Sequence, residues 1–435
     1  MSELALRYLE SLSRSQWLSP GDLARCQSPL MERLCRHAAR ETEFYRDRLG
    51  VLFADGDLEA GAFRPDRWRE VPVFGRAEAQ RAGPMLFARA VPPEVGGTRI
   101  GQTSGSTGRP LQFRLSVFLD IASAAALARC LQSHELDLSG SLGYIKSDVE
   151  NDCPAPLGNE GQNWNCVDPQ ARWCTLAASA TIDQCVAWLR LRRPDYLMSY
   201  PSIVSAIMKE LARGGEPIRL KAVISLGENI ADGFAAAVRD RFGARHIDVY
   251  GAQEVGTFAH QCATGPHLHV AAEMALVEIL DDGGAPARPG QTGRIVATSF
   301  YSYAMPMIRY DIGDFAVPGE TCVCGRGLPT IARIVGRTRN VFRFADGTMR
   351  WPRGLNVLTR YIDFVQIRVV QRDLARVEVH YVPGDDPGRN DEAGAARFLR
   401  DILHPDIAVE FVPVAEIPRA PSGKFEDFVS LIGDG

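Results

Sequence analysis

The sequence has no excess of basic charge. Its 49 Lys+Arg against 53 Asp+Glu leave a formal net charge of −4. That balance argues against a general nucleic-acid binder, whose footprint is basic. There is no uninterrupted apolar run of the length needed to span a bilayer. The segment Met1–Trp17 carries charges every few residues and lacks the apolar stretch of a secretory signal, so a cytoplasmic protein is expected. Cysteine is sparse for the length, with ten in 435 residues. The ten are irregularly spaced, which reads as reduced thiols with room for one metal site rather than a disulfide framework. Aromatic residues make up only 8%, so composition does not choose an aromatic ligand. No internal repeat or low-complexity run is present.

What remains is the composition of an ordinary globular protein, 46% hydrophobic and 23% charged. The length is about 2.9 times that of a typical domain, so two or three domains are expected. Apolar residues at helical spacing (Leu4, Leu6, Leu9, Leu12, then Leu30, Leu34, Ala38) predict helices in the first 50 or so residues. An alanine-rich helix is predicted over 122–131. Residues 144–174, rich in Pro, Gly, Asn and Trp, read as an irregular surface excursion or a substrate-side loop. Helices at 182–191, 203–212 and 234–242 then alternate with strands at 195–199, 222–225 and 246–250, the signature of parallel βαβ units. Strands are expected next at 275–279, 293–298 and 307–310. After Gly336 comes an α+β tail of about a hundred residues. Its strands are expected near 341–344, 364–371, 376–381 and 408–412, with a helix at 392–403.

The densest chemical signal is Gly101-Gln102-Thr103-Ser104-Gly105-Ser106-Thr107-Gly108-Arg109-Pro110. Glycines let the backbone turn its N–H groups toward an anion, and hydroxyls add donors to phosphate oxygens. The loop lacks the Gly-Lys-Ser/Thr ending of a Walker A motif. On its own it is open to two readings, a polar linker or a phosphate cradle. Tyr250-Gly251-Ala252-Gln253-Glu254 follows a predicted strand, where ligands bind in open α/β sheets. An aromatic ring there can lie on a purine, and a carboxylate can hold a magnesium ion.

The string Thr103-Ser104-Gly105-Ser106-Thr107-Gly108 resembles the phosphate loop of the acyl-adenylate-forming superfamily, and other landmarks of that family follow in its order. Ile224-Ser225-Leu226-Gly227-Glu228 resembles its adenine-flanking S-G-G-E, with Leu226 in place of the first glycine. Tyr250–Glu254 resembles its Y-G-x-x-E, and Tyr310-Asp311-Ile312-Gly313-Asp314 its Y-R-T-G-D. Gly336-Arg337-Thr338-Arg339-Asn340 resembles the hinge G-R-x-x-D, with Asn340 in place of the aspartate. Pro418-Arg419-Ala420-Pro421-Ser422-Gly423-Lys424 resembles the late P-x-x-x-x-G-K. The resemblance runs from about residue 65 to 430 and is closest to the phenylacetate–CoA ligase-like branch.

The resemblance implies an α/β protein. A large ATP- and acid-binding domain over 1–335 would combine mixed and parallel sheets with a strand-rich subdomain. A hinge at 336–340 would lead to a small mobile α+β domain over 341–435. It implies ATP and Mg²⁺ as cofactors, with Thr103–Gly108 at the phosphates and Gly227, Glu228, Tyr250 and Gly251 around the adenine. Asp314 would take the ribose hydroxyls, Arg337 the ribose or phosphate, and Glu254 the magnesium. Lys424, with Thr107 and Glu254, would be catalytic. A small carboxylic acid, favoured by the branch as aryl or arylacetic, would become an acyl-AMP and pass to CoA. The close alternative is a specialised, natural-product enzyme that passes the acyl group to a carrier-protein thiol or an amine. A binding protein that keeps the fold without turnover is a third class, which the presence of Lys424, Glu254 and Asp314 argues against. The resemblance leaves room for a homodimer.

Cys322-Val323-Cys324, with the distant Cys262 and His269, offers four ligands of zinc type. C-x-C is a weak signal by itself, but some members of the same branch look similar here, and His269 fits their pattern better than His267. A structural zinc is expected, with no open position for chemistry. The competing reading is reduced cysteines beside a surface histidine. His260, Cys153, Cys166 and Cys174 are open to two readings, as acyl-pocket lining or as ordinary core and polar positions.

Overall fold

The computed structural model describes residues 2–102, 111–146, 153–337, 341–350, 355–384, 386–418 and 425–432. The chain opens with two amphipathic helices, α1 (Ser2–Ser15) and α2 (Pro20–Glu41). Ser19 caps α2 by accepting the Asp22 N–H, and Pro20 starts the helix where its missing donor costs nothing. A two-residue strand β1 (Phe74–Gly75) and a short helix α3 (Arg76–Ala82) follow. Strands β2 (Thr98–Gln102) and β3 (Gln112–Ser116) pair antiparallel and lead into α4 (Val117–Ser133).

Alternation then sets in, with β4 (Leu142–Lys146), β5 (Asn159–Gln162), β6 (Arg172–Ala177), α5 (Ile182–Arg192) and β7 (Tyr196–Ser199). After these come α6 (Pro201–Ala212), β8 (Ala222–Leu226), α7 (Phe234–Phe242) and β9 (Arg245–Ala252). Strands β6, β4, β7, β8 and β9 are mutually parallel. Beyond β9 the sheet becomes antiparallel through β10 (Gly256–Gln261) and β11 (Leu268–Val270). It continues with β12 (Ala275–Leu280), β13 (Gly293–Ser299), β14 (Tyr310–Pro318) and β15 (Thr330–Arg337). Together with β1 on β14, these form one 13-stranded sheet among the described residues. One core packs α4 and the N-terminal helices on this sheet through residues such as Leu34, Ala125, Ile247 and Tyr310. A second packs α5–α7 on the parallel strands through Trp188, Val223 and Val238. Among the described residues no helix is long and apolar enough to cross a membrane.

The later residues build their own sheet. A small ribbon β16 (Phe342–Arg343) and β17 (Met349–Arg350) precedes β18 (Phe364–Asp373) and β19 (Arg376–Pro383). Helix α8 (Glu392–Ile402), β20 (Ala408–Pro413) and β21 (Phe428–Ser430) complete a four-stranded sheet in the order β20-β19-β18-β21. Its core, including Phe342, Val369, Val379 and Leu399, draws only on residues 342–428. The architecture is therefore a large mixed α/β unit followed by a small α+β unit.

Two expectations are corrected. Within 144–174 the end of β4, strand β5 and the start of β6 join one edge of the large sheet, while 153–158 and 163–171 are irregular as expected. The polar string of β5 has no alternation of its own and takes its conformation from the ladder with β6. The segment 307–310 is not a strand, since β14 begins only at Tyr310. The Met307 N–H donates to Ser302 Oγ, the Ile308 N–H to the Tyr45 hydroxyl and the Arg309 N–H to Thr298 Oγ1. These backbone groups are thus held by side chains instead of a ladder, and Arg309 sits in the left-handed region at φ 51°.

Candidate active site

The carboxyl ends of parallel strands are where open α/β sheets bind ligands, because the following loops converge there. Two of the expected segments, and one more, begin at such ends. Tyr200–Ser202 follows β7, Gly227–Glu228 follows β8, and Tyr250–Glu254 leaves the end of β9. Gly227 adopts φ 75°, which turns the chain sharply out of the strand. At Gly251 a Cβ would come within 2.3 Å of the Gly256 carbonyl oxygen, so the tight return from β9 to β10 needs glycine there.

The carboxylates of Tyr250–Glu254 and Tyr310–Asp314 are cross-braced. The Tyr310 hydroxyl donates to Glu254 Oε1 at 2.9 Å, and the Tyr250 hydroxyl donates to Asp314 Oδ2 at 2.7 Å. Each motif therefore supplies one tyrosine and one carboxylate, and each tyrosine holds the carboxylate of the other. Both carboxylates are buried, at 5% and 6% exposure, and two negative charges so placed need fixed donors. Burial, reinforced by the charge of Glu254, pushes the Tyr310 hydroxyl far above its ordinary range, so it remains a donor. In backbone register Asp314 is paired with Arg337 across the β14–β15 ladder. The half-buried Tyr250 ring meets Phe258 edge-on at 5.5 Å.

Tyr310 itself is fixed by its neighbour. Arg309 is 3% exposed and forms a fork with Glu278, both nitrogen–oxygen distances being 3.1 Å. It also donates to the carbonyls of Arg69 and Val71, and Trp68 Nε1 donates to the same Glu278. This clamp sets the start of β14 and hence the phenol aimed at Glu254.

Glu228 is engaged differently from the expectation of an adenine neighbour. Its carboxylate accepts the Ser202 N–H at 2.9 Å, the Ser202 hydroxyl at 3.0 Å and the Phe425 N–H at 2.6 Å. The last bond ties the large unit to the small one. The expected phosphate-loop residues Thr103, Ser104, Gly105, Ser106, Thr107 and Gly108, the hinge residue Asn340 and the catalytic Lys424 lie outside the described residues, as do Trp351–Gly354.

Cys262, His269, Cys322 and Cys324 come together, their donor atoms all within 4.8 Å of one another. The Cys262 and Cys322 sulfurs are 3.6 Å apart, and Cys324 Sγ is 3.3 Å from His269 Nε2. A tetrahedral zinc with Zn–S near 2.3 Å sets sulfurs about 3.8 Å apart, so this donor set fits that ion in type and spacing. The cluster joins the end of β10, strand β11 and the β14–β15 connection. His267 lies beside His269, ring to ring at 5.2 Å, and is not one of the four. His260 faces His269 across the β10–β11 ladder. It lines a cavity of about 20 Å³, with Arg129 and Arg326, next to the cluster. Cys153, Cys166 and Cys174 are buried, with Cys166 in one core and Cys174 in the other.

Sequence reasoning named Tyr250, Glu254 and Asp314 but missed Tyr310 as a functional donor. The available signal was its place at the head of the Tyr310–Asp314 string.

No protein-family model matches the chain. In sequence it is similar to the phenylacetate–coenzyme A ligase of Thermus thermophilus, 24% identical over 378 residues, which are 83% of this chain and 77% of that protein. It is 29% identical to a phenylacetate–coenzyme A ligase of Aromatoleum evansii over 369 residues, 79% of this chain and 78% of the other. In structure it superposes on 2-hydroxyisobutyryl-CoA ligase, in the postadenylation state with its acyl-AMP, with a TM-score of 0.74. That match is 19% identical in sequence and covers 96% of this chain and 91% of the other.

Proposed function

We propose that this chain, which has the fold of the adenylate-forming ligases and resembles the phenylacetate–CoA ligases in sequence, is an ATP-dependent acid–CoA ligase. The observation that carries the reading is the crossed Tyr–carboxylate pair where the carboxyl end of β9 meets β14. It presents two buried, oriented carboxylates where a ribose diol and a metal–phosphate group would sit.

In the first step a carboxylate oxygen of the acid attacks the α-phosphorus of ATP, and pyrophosphate leaves. Asp314 accepts the ribose hydroxyls and Tyr250 flanks the adenine, beside Gly227 and Gly251. Thr103–Gly108 donate to the phosphates, and Arg337 supports the ribose or phosphate. Glu254 would hold a Mg²⁺, which supplies neutralising charge at the phosphate oxygens. Lys424 balances the charge that builds on the acid and the α-phosphate. In the second step the CoA sulfur attacks the acyl carbon and AMP leaves. No side chain becomes covalently attached, because positioning and electrostatics suffice once the phosphate is a good leaving group. The acid is aryl or arylacetic in this reading.

The Cys₃His cluster holds a structural zinc. Four protein ligands leave it no open position, so it ties loops together and takes no part in the reaction. Ten cysteines with no disulfide between them suit a reducing, cytoplasmic setting.

ATP–pyrophosphate exchange across a panel of acids (phenylacetate, benzoate, 2-hydroxyisobutyrate and their homologues) tests the reading. Exchange with at least one acid is expected, followed by a CoA thioester detected by mass. Folded protein that exchanges with none refutes it, and exchange without thioester moves the acceptor to a carrier protein or an amine. Lys424→Ala is expected to lower exchange by at least about a hundredfold.

A further inference from the structure

Residues 319–329, which join β14 to β15 and carry Cys322 and Cys324, form neither helix nor strand. Their ends are held by the sheet. The Gly319 N–H donates to the Thr330 carbonyl, and the Val270 N–H donates to the Pro329 carbonyl. Sulfur holds the middle. The Cys324 N–H donates to Cys322 Sγ at 3.3 Å, and across the cluster the Thr264 N–H donates to Cys262 Sγ at 3.5 Å. A neutral thiol accepts weakly, so such donors suit metal-bound thiolates. The same loop also meets residues 16–18, in the turn between α1 and α2. The Gly327 N–H donates to the Gln16 carbonyl at 3.0 Å, and Arg326 Nε donates to Gln16 Oε1 at 2.7 Å. The Arg326 guanidinium lies over the Trp17 ring, 4.8 Å from its centroid. A Cβ at Gly327 would fall 1.8 Å from the Leu18 carbonyl oxygen, so the two segments touch backbone to backbone. Leu18, Leu23, Ala272 and Leu328 add a small core apart from the large ones.

We infer that the Cys₃His cluster, with its zinc, is a clasp for the turn that joins the two N-terminal helices. Ligation fixes 321–328 against β10 and β11, and Arg326 and Gly327 seat the α1–α2 turn on that loop. Without the metal the loop and the turn come free together, while the large sheet stays folded. The clasp rests on the zinc reading above and names what the metal holds. Residues 321–328 have no ladder of their own, so ordering them costs conformational entropy that metal–ligand bonds offset. A core of four residues buries little apolar surface to replace those bonds. The helices have further anchors, which keeps the release local. Arg129 donates to the Leu12 carbonyl, Ser15 Oγ to Glu273 and Gln27 Nε2 to the Ala272 carbonyl. Three thiolates and a neutral imidazole leave a zinc centre net negative. Arg326, which lines the same small cavity as Cys262 and His269, supplies the complementary cation. Its planar fork serves Gln16 while its face covers Trp17, a combination an ammonium lacks.

Hydrogen–deuterium exchange of the full chain, with zinc counted by metal analysis, tests the clasp. Removing zinc with a chelator should speed exchange about tenfold or more in the peptides covering 16–18 and 325–328, the loss of at least one hydrogen bond in each. Peptides from β12 and β13, which contribute no ligand, should keep their wild-type protection. Adding zinc chloride back should restore the slow exchange. Unchanged exchange at 16–18 in protein shown to have lost its zinc overturns the clasp and leaves the zinc reading standing. Equal acceleration across β12 and β13 also overturns it, because the metal would then hold the whole unit. Protein that neither contains nor takes up zinc refutes the zinc reading and the clasp with it. If the chelator cannot extract the metal, Cys324→Ser supplies the zinc-poor state for the same comparison. Arg326→Ala removes no ligand, so it should keep about one zinc per chain and still release 16–18. Wild-type protection there, or loss of the metal, overturns the part given to Arg326.

Discussion

The two units hold their working groups in opposite ways. In the large unit each carboxylate is bonded by a tyrosine from a different strand, and one of those tyrosines is itself set by the Arg309–Glu278 clamp. Every member is buried or half-buried in the sheet. In the small unit the stems of 419–424 rest on the side chains of one strand, with a single described bond from Phe425 across to Glu228. Under the proposed function the rigid bracing suits a nucleotide site, which gains from fixed groups that need no reorganisation when the ligand arrives.

The comparison breaks most completely if the clamp is removed. Arg309→Ala would leave Glu278 and two carbonyls without their partner in the interior. It should cost about 3–5 kcal/mol in urea unfolding of the large unit, as loss of one member of a buried pair does. An effect below about 1 kcal/mol would show that the clamp is dispensable. Tyr310→Phe tests the bracing itself. It removes one donor to a buried carboxylate, so kcat/KM for ATP should fall by about tenfold or more, equivalent to about 1.5–3 kcal/mol. Equal kinetics in the variant would mean that Glu254 is oriented by other groups.

Metal removal sharpens the contrast from another side. The purified protein should contain about one zinc, and chelation or Cys322→Ser should lower the melting temperature by roughly 5 °C through loss of a ligand bound only by the native state. The small unit, which contributes no ligand, should keep its own transition. The smallest effect lies under β8 and β9, where Ser225 Oγ is 2.7 Å from His246 Nε2 and donates to Asp248 at 3.3 Å. Burial lowers His246 to about 4 and raises Asp248 to about 7. Between about pH 4 and 6.5 the unfolded state binds the histidine proton and the native state does not, so His246 favours stability as pH rises. Asp248 does the reverse, because its native form keeps a proton that the unfolded form has lost. The two slopes should nearly cancel. His246→Asn should then make stability fall with rising pH, and Asp248→Asn should make it rise, by about 1.4 kcal/mol per unit or less. Flat profiles in both variants would refute the pairing.

Much of the architecture was legible because it follows from local pattern. The boundaries of α7 and the placement of α5, α6, β7, β8 and β9 follow the switch between periods of 3.6 and 2, with Gly243 ending α7 at φ 68°. Strand β10, with its Gly-Thr start, and the three-residue β11 were not legible. They are extended because the ladder on either side completes them. The same holds for β5. The motif strings located the nucleotide-side residues, since each string is contiguous and begins at a strand end.

By itself, then, the sequence determined which short motif strings are present and in what order they come. It determined that four zinc-type ligands exist, and that the chain is a large α/β unit with an α+β tail. Only the tertiary structure decided what each group touches. Tyr310 reaches Glu254 across 56 residues, Arg368 reaches Pro418 across 50, and Phe425 reaches Glu228 across 197. The physical reason is that periodicity and turn chemistry act over a few neighbouring residues. A hydrogen bond between two side chains instead depends on strand order and register, which the packing of the whole sheet sets.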